Sequence, residues 1–484
     1  MSLKFPKDFG FGFSTAGFQH EMGLPGSEYE SDWWVWVHDP ENIAAGIVSG
    51  DLPENGPGYW HLYKSDHDIA FSLGMDTLRL GIEWARVFPK PTFEVNVNAD
   101  IRDGSVVSVD VSEEALRRLD GLANRDAVQH YIEIIKDWKD RGGKLIVNLY
   151  HWPLPLWVHD PLVVRRSGPN NAPTGWLDPR TVVEFAKYAA YLAWRLGEFV
   201  DMWSTMNEPN VVFSNGYLYV KSGFPPGYLG IELMLRARGN LMTAHARAYD
   251  ALREFSKAPI GIIYAISDVQ PLTKDDEEAA KAYEEAGQVS FLDAITKGSG
   301  REDLRGRLDW LGINYYSRTV VTTAKSQSSI LPPARVVPGY GFACGPNAVS
   351  RDGRPCSDFG WELYPEGLYN VLTRYWGRYG LPIIVTENGI ADARDQWRSW
   401  FIVSHLYQLH RALGQGVDVR GYLHWNLIDN YEWASGFRMK FGLVQVDYNT
   451  KKRYLRPSAL VFREIARNKE IPEYLTHMIQ SPTI

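Results

Sequence analysis

The chain alternates between short apolar runs, rich in β-branched and aromatic residues, and longer segments whose apolar positions recur with helical spacing. Because apolar residues are nearly continuous within the short runs, we expect both faces of each strand to be buried. The eight predicted strands are residues 11–19, 77–84, 144–152, 202–209, 260–267, 308–316, 382–389 and 419–426.

The helical segments that separate these strands often end at a glycine, which is a common helix stop. The clearest are residues 59–74, 127–142, 181–200, 368–380 and 401–416. Regular alternation of strand and helix predicts a parallel sheet. Eight units favour an α/β fold in which residues 1–484 form a single-domain (β/α)8 TIM barrel. An open doubly wound sheet is the alternative, but its glycine-rich phosphate signatures do not follow any of the strands.

Three longer insertions interrupt the pattern, at roughly residues 90–125, 157–180 and 320–360. They follow the second, third and sixth predicted strands. In a barrel, loops at this end of the strands build the active site. We therefore expect long βα loops to shape the site.

Composition limits the class of protein and its partners. Charged residues make up 23% of the chain and the net charge is −7, which argues against a nucleic-acid partner. The start, MSLKFPKDFGFGF, does not resemble a secretory signal, and the longest apolar run, YAAYLAW, is too short to span a membrane. We expect a cytoplasmic protein with no membrane partner. Cys344 and Cys356 are the two cysteines; a bridge between them is one alternative, but we expect free thiols in a reducing compartment.

Polar and aromatic residues gather at the carboxyl ends of seven predicted strands, all except the fifth. They are Gln19, His20, Arg79, His151, Trp152, Asn207, Glu208, Asn314, Tyr315, Glu387 and Trp425. In a barrel these ends converge on one mouth, so the side chains form a candidate site. Each has a structural explanation by itself, such as a core histidine or a packed tryptophan, but seven unrelated coincidences at one end are improbable.

Two glutamates of this set suggest a reaction. Glu208 ends the fourth strand and Glu387 the seventh, so they face each other across the mouth. Paired carboxyls suit glycoside hydrolysis, in which one gives a proton to the leaving oxygen and the other attacks the anomeric carbon or activates water. Pro209 disfavours a helical conformation at Glu208, and we expect it to hold Glu208 at a strand end.

Several motifs resemble those of the family-1 glycoside hydrolases, which are retaining β-glycosidases. They are GFQHE, YHWPLPLW, STMNEPN, INYYSRTVV, VTENGI, GYLHWNLIDNYEWASGF and FGLVQVDYNTKKRY, in the family's order. The resemblance covers essentially the whole chain and is closest to the archaeal thermophilic branch. It implies a two-step hydrolysis of terminal β-D-glucosides or β-D-galactosides, and of β-fucosides as a further expectation, through a covalent glycosyl-enzyme intermediate.

The resemblance also implies roles for individual residues. Glu208 matches the general acid/base and Glu387 the nucleophile, while Arg79 and Tyr315 match residues that contact the nucleophile. The positions that match sugar-binding residues are Gln19, His151, Trp152, Asn207, Trp425, Glu432 and Trp433, with Met439 and Phe441 near the sugar's C6. The substrate implied is a small oligosaccharide or an aryl or alkyl β-glycoside. The family further implies no metal, no organic cofactor and a homo-oligomer, with a tetramer favoured by analogy.

Three other functions are weighed against this interpretation. A catalytically inactive sugar-binding barrel would be expected to lack one carboxylate, and a metal-dependent barrel hydrolase needs His and Asp ligands at several strand ends. In 6-phospho-β-glycosidase relatives, a Ser, a Lys and a Tyr recur where this chain has Glu432, Met439 and Phe441. These three residues favour a neutral sugar, and we expect Lys440 to point away from it.

Overall fold

A computed structural model of the protein describes residues 2–326, 328–480 and 482. Within these residues, eight parallel strands pair in chain order and close into a barrel. The strands are β1 (Gly10–Ser14), β2 (Thr77–Gly81), β3 (Lys144–Asn148), β4 (Met202–Asn207), β5 (Ile260–Ala265), β6 (Trp310–Asn314), β7 (Ile383–Glu387) and β8 (Val419–His424). Each overlaps its predicted run, so the barrel prediction is confirmed. The predicted runs extend past the carboxyl ends of the strands, because apolar and aromatic residues continue into the loops that form the mouth.

Helices cover the outside of the barrel. In the described part of the chain, those of eight or more residues are α1 (Tyr59–Ser72), α2 (Glu113–Leu122), α3 (Arg125–Asp140), α4 (Arg180–Leu196), α5 (Pro209–Tyr217), α6 (Ile231–Phe255), α7 (Glu277–Glu284), α8 (Ser290–Lys297), α9 (Glu366–Tyr379), α10 (Arg398–Gly414) and α11 (Pro457–Asn468). Shorter helices span Gly17–His20, Asp32–His38, Pro40–Ala44, Trp84–Val87 and Pro161–Ser167. The five helical segments predicted from spacing are α1, α3, α4, α9 and α10. Gly380 ends α9 in a left-handed conformation (φ 63°), as its position after the last apolar residue predicts.

The long loops carry secondary structure of their own. The insertion after β2 holds an antiparallel hairpin, and the insertion after β6 pairs with a strand that follows β5. The small sheets are Asn98–Arg102 with Ser105–Asp110; Asp268–Pro271, Arg318–Thr323 and Ala334–Val336; Val444–Val446 with Arg453–Leu455; and Leu3–Lys4 with Glu470–Ile471. The first three sheets lie in segments that follow the carboxyl ends of barrel strands, whereas the last joins the segment before β1 to the segment after α11.

The interior of the barrel changes from apolar to polar along its axis. An apolar cluster contains Ile146, Ile263, Trp310, Ile384 and Leu423, which come from five of the strands. The strand register shifts near Asn207 on β4 and Asn314 on β6. Such bulges turn side chains away from a regular register and are frequent beside active sites.

The structure contradicts one expectation about the loop after β6. Cys344 and Cys356 form a disulfide, whereas free thiols were expected. The loop folds back on itself through an isolated antiparallel bridge between Val349 and Pro355. This bridge brings the two cysteine Cα atoms to 6.5 Å, a separation that a disulfide can join.

No helix among the residues that the structure describes is both long enough and apolar enough to cross a bilayer.

Candidate active site

Glu387, the last residue of β7, receives hydrogen bonds on both carboxylate oxygens. The buried Arg79 of β2 donates from Nη2 to Oε1, and the Tyr316 hydroxyl donates to Oε2 at 2.7 Å. A guanidinium and a phenol therefore hold this carboxylate in one orientation, and the guanidinium offsets its charge.

Glu208 lies directly after β4, and Pro209 begins α5. The backbone of Glu208 is left-handed (φ 50°, ψ 56°), whereas the sequence predicts an extended strand end. The Glu208 backbone N–H donates to the Ile263 carbonyl at 2.8 Å, and Asn314 donates to Oε1 at 2.8 Å. Left-handed backbone at a non-glycine residue costs about 1–3 kcal/mol and persists only where surrounding bonds enforce it.

A continuous hydrogen-bond path joins the two glutamates. Asn207 Oδ1 accepts from Arg79 Nη1 at 2.7 Å and from Asn314 Nδ2 at 3.0 Å. Arg79 also bonds Glu387, and Asn314 also bonds Glu208. The path positions one carboxyl relative to the other through rigid side chains on three different strands.

The two carboxyls sit in different environments. Burial, and to a smaller extent the charge of Glu387, raise the pKa of Glu208 to about 8. Glu208 therefore carries a proton at neutral pH, as a general acid must. Burial and the same Glu387 charge also raise the pKa of Glu432 to about 8. Two protonated carboxyls, those of Glu208 and Glu432, thus lie near the Glu387 carboxylate that Arg79 holds.

The tautomer of His151 follows from its neighbours. Because Asn207 Oδ1 accepts two bonds, its amide nitrogen is the donor to His151 Nε2 at 3.1 Å. Burial lowers the pKa of His151 well below its usual range, so the ring is neutral and its proton lies on Nδ1. Nδ1 is buried and has no protein partner. His151 can therefore donate one hydrogen bond to a ligand hydroxyl.

Gln19 provides the complementary acceptor. Its amide nitrogen donates to the Tyr431 carbonyl at 2.9 Å, to Asn430 Oδ1 at 3.2 Å and to Glu432 Oε2 at 3.4 Å. Its buried Oε1 has no protein partner. Gln19, Glu432 and His151 thus present both donors and acceptors, the mixture that vicinal sugar hydroxyls require.

Aromatic rings enclose these polar groups. Trp433 lies 4.5 Å from Trp152 between ring centroids and stacks on Phe18 at 5.6 Å. Trp425 and Phe441 belong to a second cluster, against which Met439 and Tyr316 pack. Like Glu208, Trp152 (φ 88°) and Trp433 (φ 49°) have left-handed backbones. Three of the eight described non-glycine residues with positive φ therefore lie at this mouth.

Tyr315 is the predicted site residue whose side chain does not reach the site. Its hydroxyl donates to the Tyr364 carbonyl, and only its backbone N–H contacts Glu387, by donating to the carbonyl oxygen at 3.0 Å. The prediction that Tyr315 supports the carboxylate of Glu387 is wrong by one position. Successive residues of an extended chain point to opposite sides, so Asn314 and Tyr316 face the mouth and Tyr315 faces outward.

Tyr316 is therefore a site residue absent from the sequence prediction, whereas Asn314 is predicted at a strand end but without a role of its own. A period-two alternation beyond β6 is the signal that would have identified both. The structure brings the other predicted residues together at one mouth, and among its described residues we find no group of three or more His, Cys, Asp or Glu that could hold a metal ion.

Comparison with known proteins identifies the family that this barrel and its carboxyl pair define. Residues 1–100, 119–302 and 295–471 match glycosyl hydrolase family 1, and the chain belongs to that family. A β-galactosidase from Saccharolobus solfataricus is 56% identical, over 99% of this chain and 98% of that protein.

Solved structures agree over the same length. The β-glycosidase of the hyperthermophile Thermosphaera aggregans superimposes with a TM-score of 0.95 at 56% identity, covering 99% of this chain and 100% of that one. A β-glucosidase mutant derived from a hyperthermophilic tetrameric structure superimposes with a TM-score of 0.93, also at 56% identity, covering 99% and 98% of the two chains.

Proposed function

We propose that the protein is a retaining β-glycosidase that hydrolyses terminal, neutral β-D-glucosides and β-D-galactosides in two displacement steps. The observation that carries this proposal is the different environment of the two buried carboxyls. Glu387 is bonded to Arg79 and Tyr316, whereas burial raises the pKa of Glu208 to about 8. Retaining hydrolysis needs one carboxylate and one carboxylic acid on opposite sides of the scissile bond.

In the first step the Glu387 carboxylate attacks the anomeric carbon. The bond from this carbon to the glycosidic oxygen breaks, and Glu208 gives its proton to that oxygen. In the second step Glu208, now ionised, takes a proton from water. The water oxygen bonds to the anomeric carbon and releases Glu387, so the net stereochemistry is retained.

The remaining groups bind the sugar. We assign His151 Nδ1 as a donor, and Gln19 Oε1 as an acceptor, for ring hydroxyls, because both atoms are buried and lack protein partners. Glu432 has a pKa of about 8 and so can donate one bond while accepting another. Trp433 and Trp425 supply the apolar walls. Activity on β-fucosides stays a prediction, and the mechanism has no role for a metal or an organic cofactor.

Retention of configuration tests the proposal. A nitrophenyl β-glucoside is hydrolysed in deuterated buffer, and NMR follows the first sugar formed before it mutarotates. We expect the β-anomer. First formation of the α-anomer would exclude Glu387 as a nucleophile and require it to act on water instead.

We further propose that residues 1–484 act as one domain and that the chain forms a tetramer. One hydrophobic cluster extends from Phe5 to Leu475, which supports the single domain. Exposed apolar side chains recur near the end of the chain at Tyr454, Leu455, Leu460 and Tyr474, and a related β-glucosidase is described as derived from a tetramer. Light scattering after gel filtration tests the assembly.

The cytoplasmic location stays a prediction, and the disulfide is compatible with it chiefly in hyperthermophiles.

A further inference from the structure

Two buried carboxyl residues, Glu21 and Glu83, take no part in the proposed reaction. They lie beside the short helix Gly17–His20, which carries the predicted sugar-binding residue Gln19. A Cβ atom added to Gly17 would lie 2.8 Å from one oxygen of each carboxyl. The two carboxyls are therefore neighbours, and both pack against the backbone of this helix.

The two carboxyls have different partners. Arg86 donates from Nε to Glu21 Oε2 at 2.9 Å, so the charge of Glu21 is matched by a guanidinium. The Tyr131 hydroxyl donates to Glu21 Oε1 at 2.7 Å and accepts the Glu83 backbone N–H at 3.2 Å. Glu83 forms no ion pair among the described residues, and its Oε1 accepts from the Phe18 backbone N–H at 3.2 Å.

The bond from Phe18 to Glu83 replaces a missing helix cap. Phe18 is the second residue of the helix, where the N–H has no partner within the helix and is usually bonded by the side chain of the N-cap residue. Here the N-cap residue is Ala16, which has no side-chain acceptor. Glu83 supplies the acceptor from the loop after β2, so this loop caps the helix.

The charge of the pair allows this close contact. Two buried carboxylates beside one guanidinium would leave a negative charge unbalanced, which is costly. Burial, and to a smaller extent the charge of Glu21, raise the pKa of Glu83 to about 8. The pair therefore holds at least one proton at pH 6, and the two carboxyls can remain together.

The capped helix places two residues of the site. The Phe18 ring stacks on Trp433 at 5.6 Å between centroids, and Gln19 Nε2 donates to the Tyr431 carbonyl at 2.9 Å. Gln19 Oε1 is buried and has no protein partner. Because Phe18 and Gln19 are adjacent in one helical turn, a shift of the Phe18 backbone would also move this oxygen.

We infer that Glu83 is a positioning residue for the sugar-binding site, because its carboxyl caps the helix Gly17–His20 and thereby fixes the orientation of Gln19. This inference rests on the proposed function, in which Gln19 Oε1 accepts a bond from a sugar hydroxyl. Glu21 supports the same helix from the second side, and Arg86 ties Glu21 to the loop after β2.

Substitution of Glu83 in the whole protein, assayed on nitrophenyl β-glucoside at pH 6, tests the inference. Glu83→Leu removes the acceptor at similar volume and should lower kcat/KM about tenfold. Glu83→Asp withdraws the carboxyl by one methylene and should act in the same direction, which covers a leucine variant that does not fold. The conservative variant Glu83→Gln keeps an acceptor oxygen and should stay within about twofold of the unsubstituted protein.

Glu184→Leu is the matched control. Glu184 is a buried carboxyl on α4 whose partners are Thr92 and Lys187, away from the sugar-binding residues. Its loss should lower stability in urea denaturation and leave kcat/KM unchanged. Similar losses of kcat/KM in Glu83→Leu and Glu184→Leu, or an unchanged kcat/KM in Glu83→Leu and Glu83→Asp, would overturn the inference.

A double-mutant cycle with Gln19→Ala shows whether Glu83 acts through Gln19. Once the positioned oxygen is absent, adding Glu83→Leu should lower kcat/KM by less than about twofold further. Equal losses with and without Gln19 would make Glu83 a purely structural residue. A failure of the proposed function would appear separately, because the unsubstituted protein would then not release the β-anomer first.

Discussion

Tyr316 donates a hydrogen bond of 2.7 Å to Oε2 of Glu387. Its neighbour Tyr315 bonds the Tyr364 carbonyl instead, so the two tyrosines form a natural matched pair. Removing a hydrogen bond to a charged group costs about 1.5–3 kcal/mol. We therefore expect Tyr316→Phe to lower kcat about 10- to 100-fold without a comparable loss of stability.

Tyr315→Phe should show the opposite result. It leaves the part-buried Tyr364 carbonyl without its donor, so the free energy of unfolding should fall by about 1 kcal/mol while kcat changes little. Steady-state kinetics and urea denaturation of both variants make the comparison. Equal losses of kcat in the two variants would contradict the placement of Tyr316 beside the nucleophile.

Tyr315 and Tyr316 also show which parts of the site the sequence predicts and which it does not. Strand and helix positions follow from apolar spacing, and convergence of strand ends at one mouth follows from barrel topology, so Glu208, Glu387 and Asn207 could be predicted. Period-two alternation continues past β6 and places Tyr316 on the same side as Asn314, whereas the motif resemblance alone assigns the contact with Glu387 to Tyr315. The left-handed backbone of Glu208 and the disulfide depend on tertiary contacts, which local sequence rules do not contain.

Replacing the two glutamates should separate their roles. Glu387→Gly should abolish turnover of all glycosides, and azide or formate should restore part of it by entering the space of the carboxylate. Glu208→Ala should slow substrates with poor leaving groups far more than dinitrophenyl glycosides, which need little proton donation, and should let the intermediate accumulate. Leaving-group plots and burst kinetics measure both effects. Equal slowing of good and poor leaving groups would exclude Glu208 as the acid.

Activity should fall at alkaline pH because Glu208 loses its proton. Its pKa is raised to about 8, so kcat/KM should decline as the pH rises through that value. Glu432 has a similar pKa, and the two residues can be distinguished by substitution. The alkaline decline should disappear in Glu208→Ala with a dinitrophenyl substrate and persist in Glu432→Gln. The reverse pattern would assign the decline to Glu432.

The same raised pKa predicts how stability depends on pH. The folded protein keeps the Glu208 proton up to about 8, whereas the unfolded chain releases it near the ordinary value of 4.5. Between these values the folded state binds more protons, so the free energy of unfolding falls as pH rises, by up to about 1.4 kcal/mol per pH unit. Glu208→Gln should reduce this slope in urea denaturation measured from pH 5 to 8. An unchanged slope would contradict the raised pKa.

The disulfide between Cys344 and Cys356 should stabilise the loop after β6. It joins cysteines separated by 12 positions, and closing a loop of this length is worth about 3 kcal/mol in the chain-entropy model. The same loop carries Trp361, which packs on Tyr316 at 5.2 Å between ring centroids. We expect the double variant Cys344→Ser, Cys356→Ser to unfold at lower denaturant concentration and to lose some kcat/KM. A reductant should reproduce both effects in the unsubstituted protein and have none in the variant; a reductant effect of equal size in the variant would contradict the assignment.

The sugar pocket should reject a 6-phosphosugar. Glu432 lies half-buried near Glu387, and its pKa is already raised to about 8. A phosphate would bring two further negative charges into the same enclosed site, where repulsion is weakly screened. Met439 packs against the cluster of Trp425 and Phe441 and carries no charge that could offset them.

Lys440 is the cation that lies between Met439 and Phe441 in the sequence, and its geometry argues against a role in phosphate binding. Its Nζ lies 4.8 Å from the centroid of the Tyr448 ring, a cation–π contact that turns the side chain toward that ring. We therefore expect kcat/KM for nitrophenyl β-glucoside to exceed that for its 6-phosphate by about 100-fold or more. Glu432→Ser combined with Met439→Lys should shift this ratio about tenfold toward the phosphate, because it removes a carboxyl and adds a cation. Lys440→Met is the matched control and should leave the ratio unchanged. A preference of the unsubstituted protein for the 6-phosphate would show that the loop binds phosphate. A lower relative activity of Lys440→Met on the 6-phosphate would show the same.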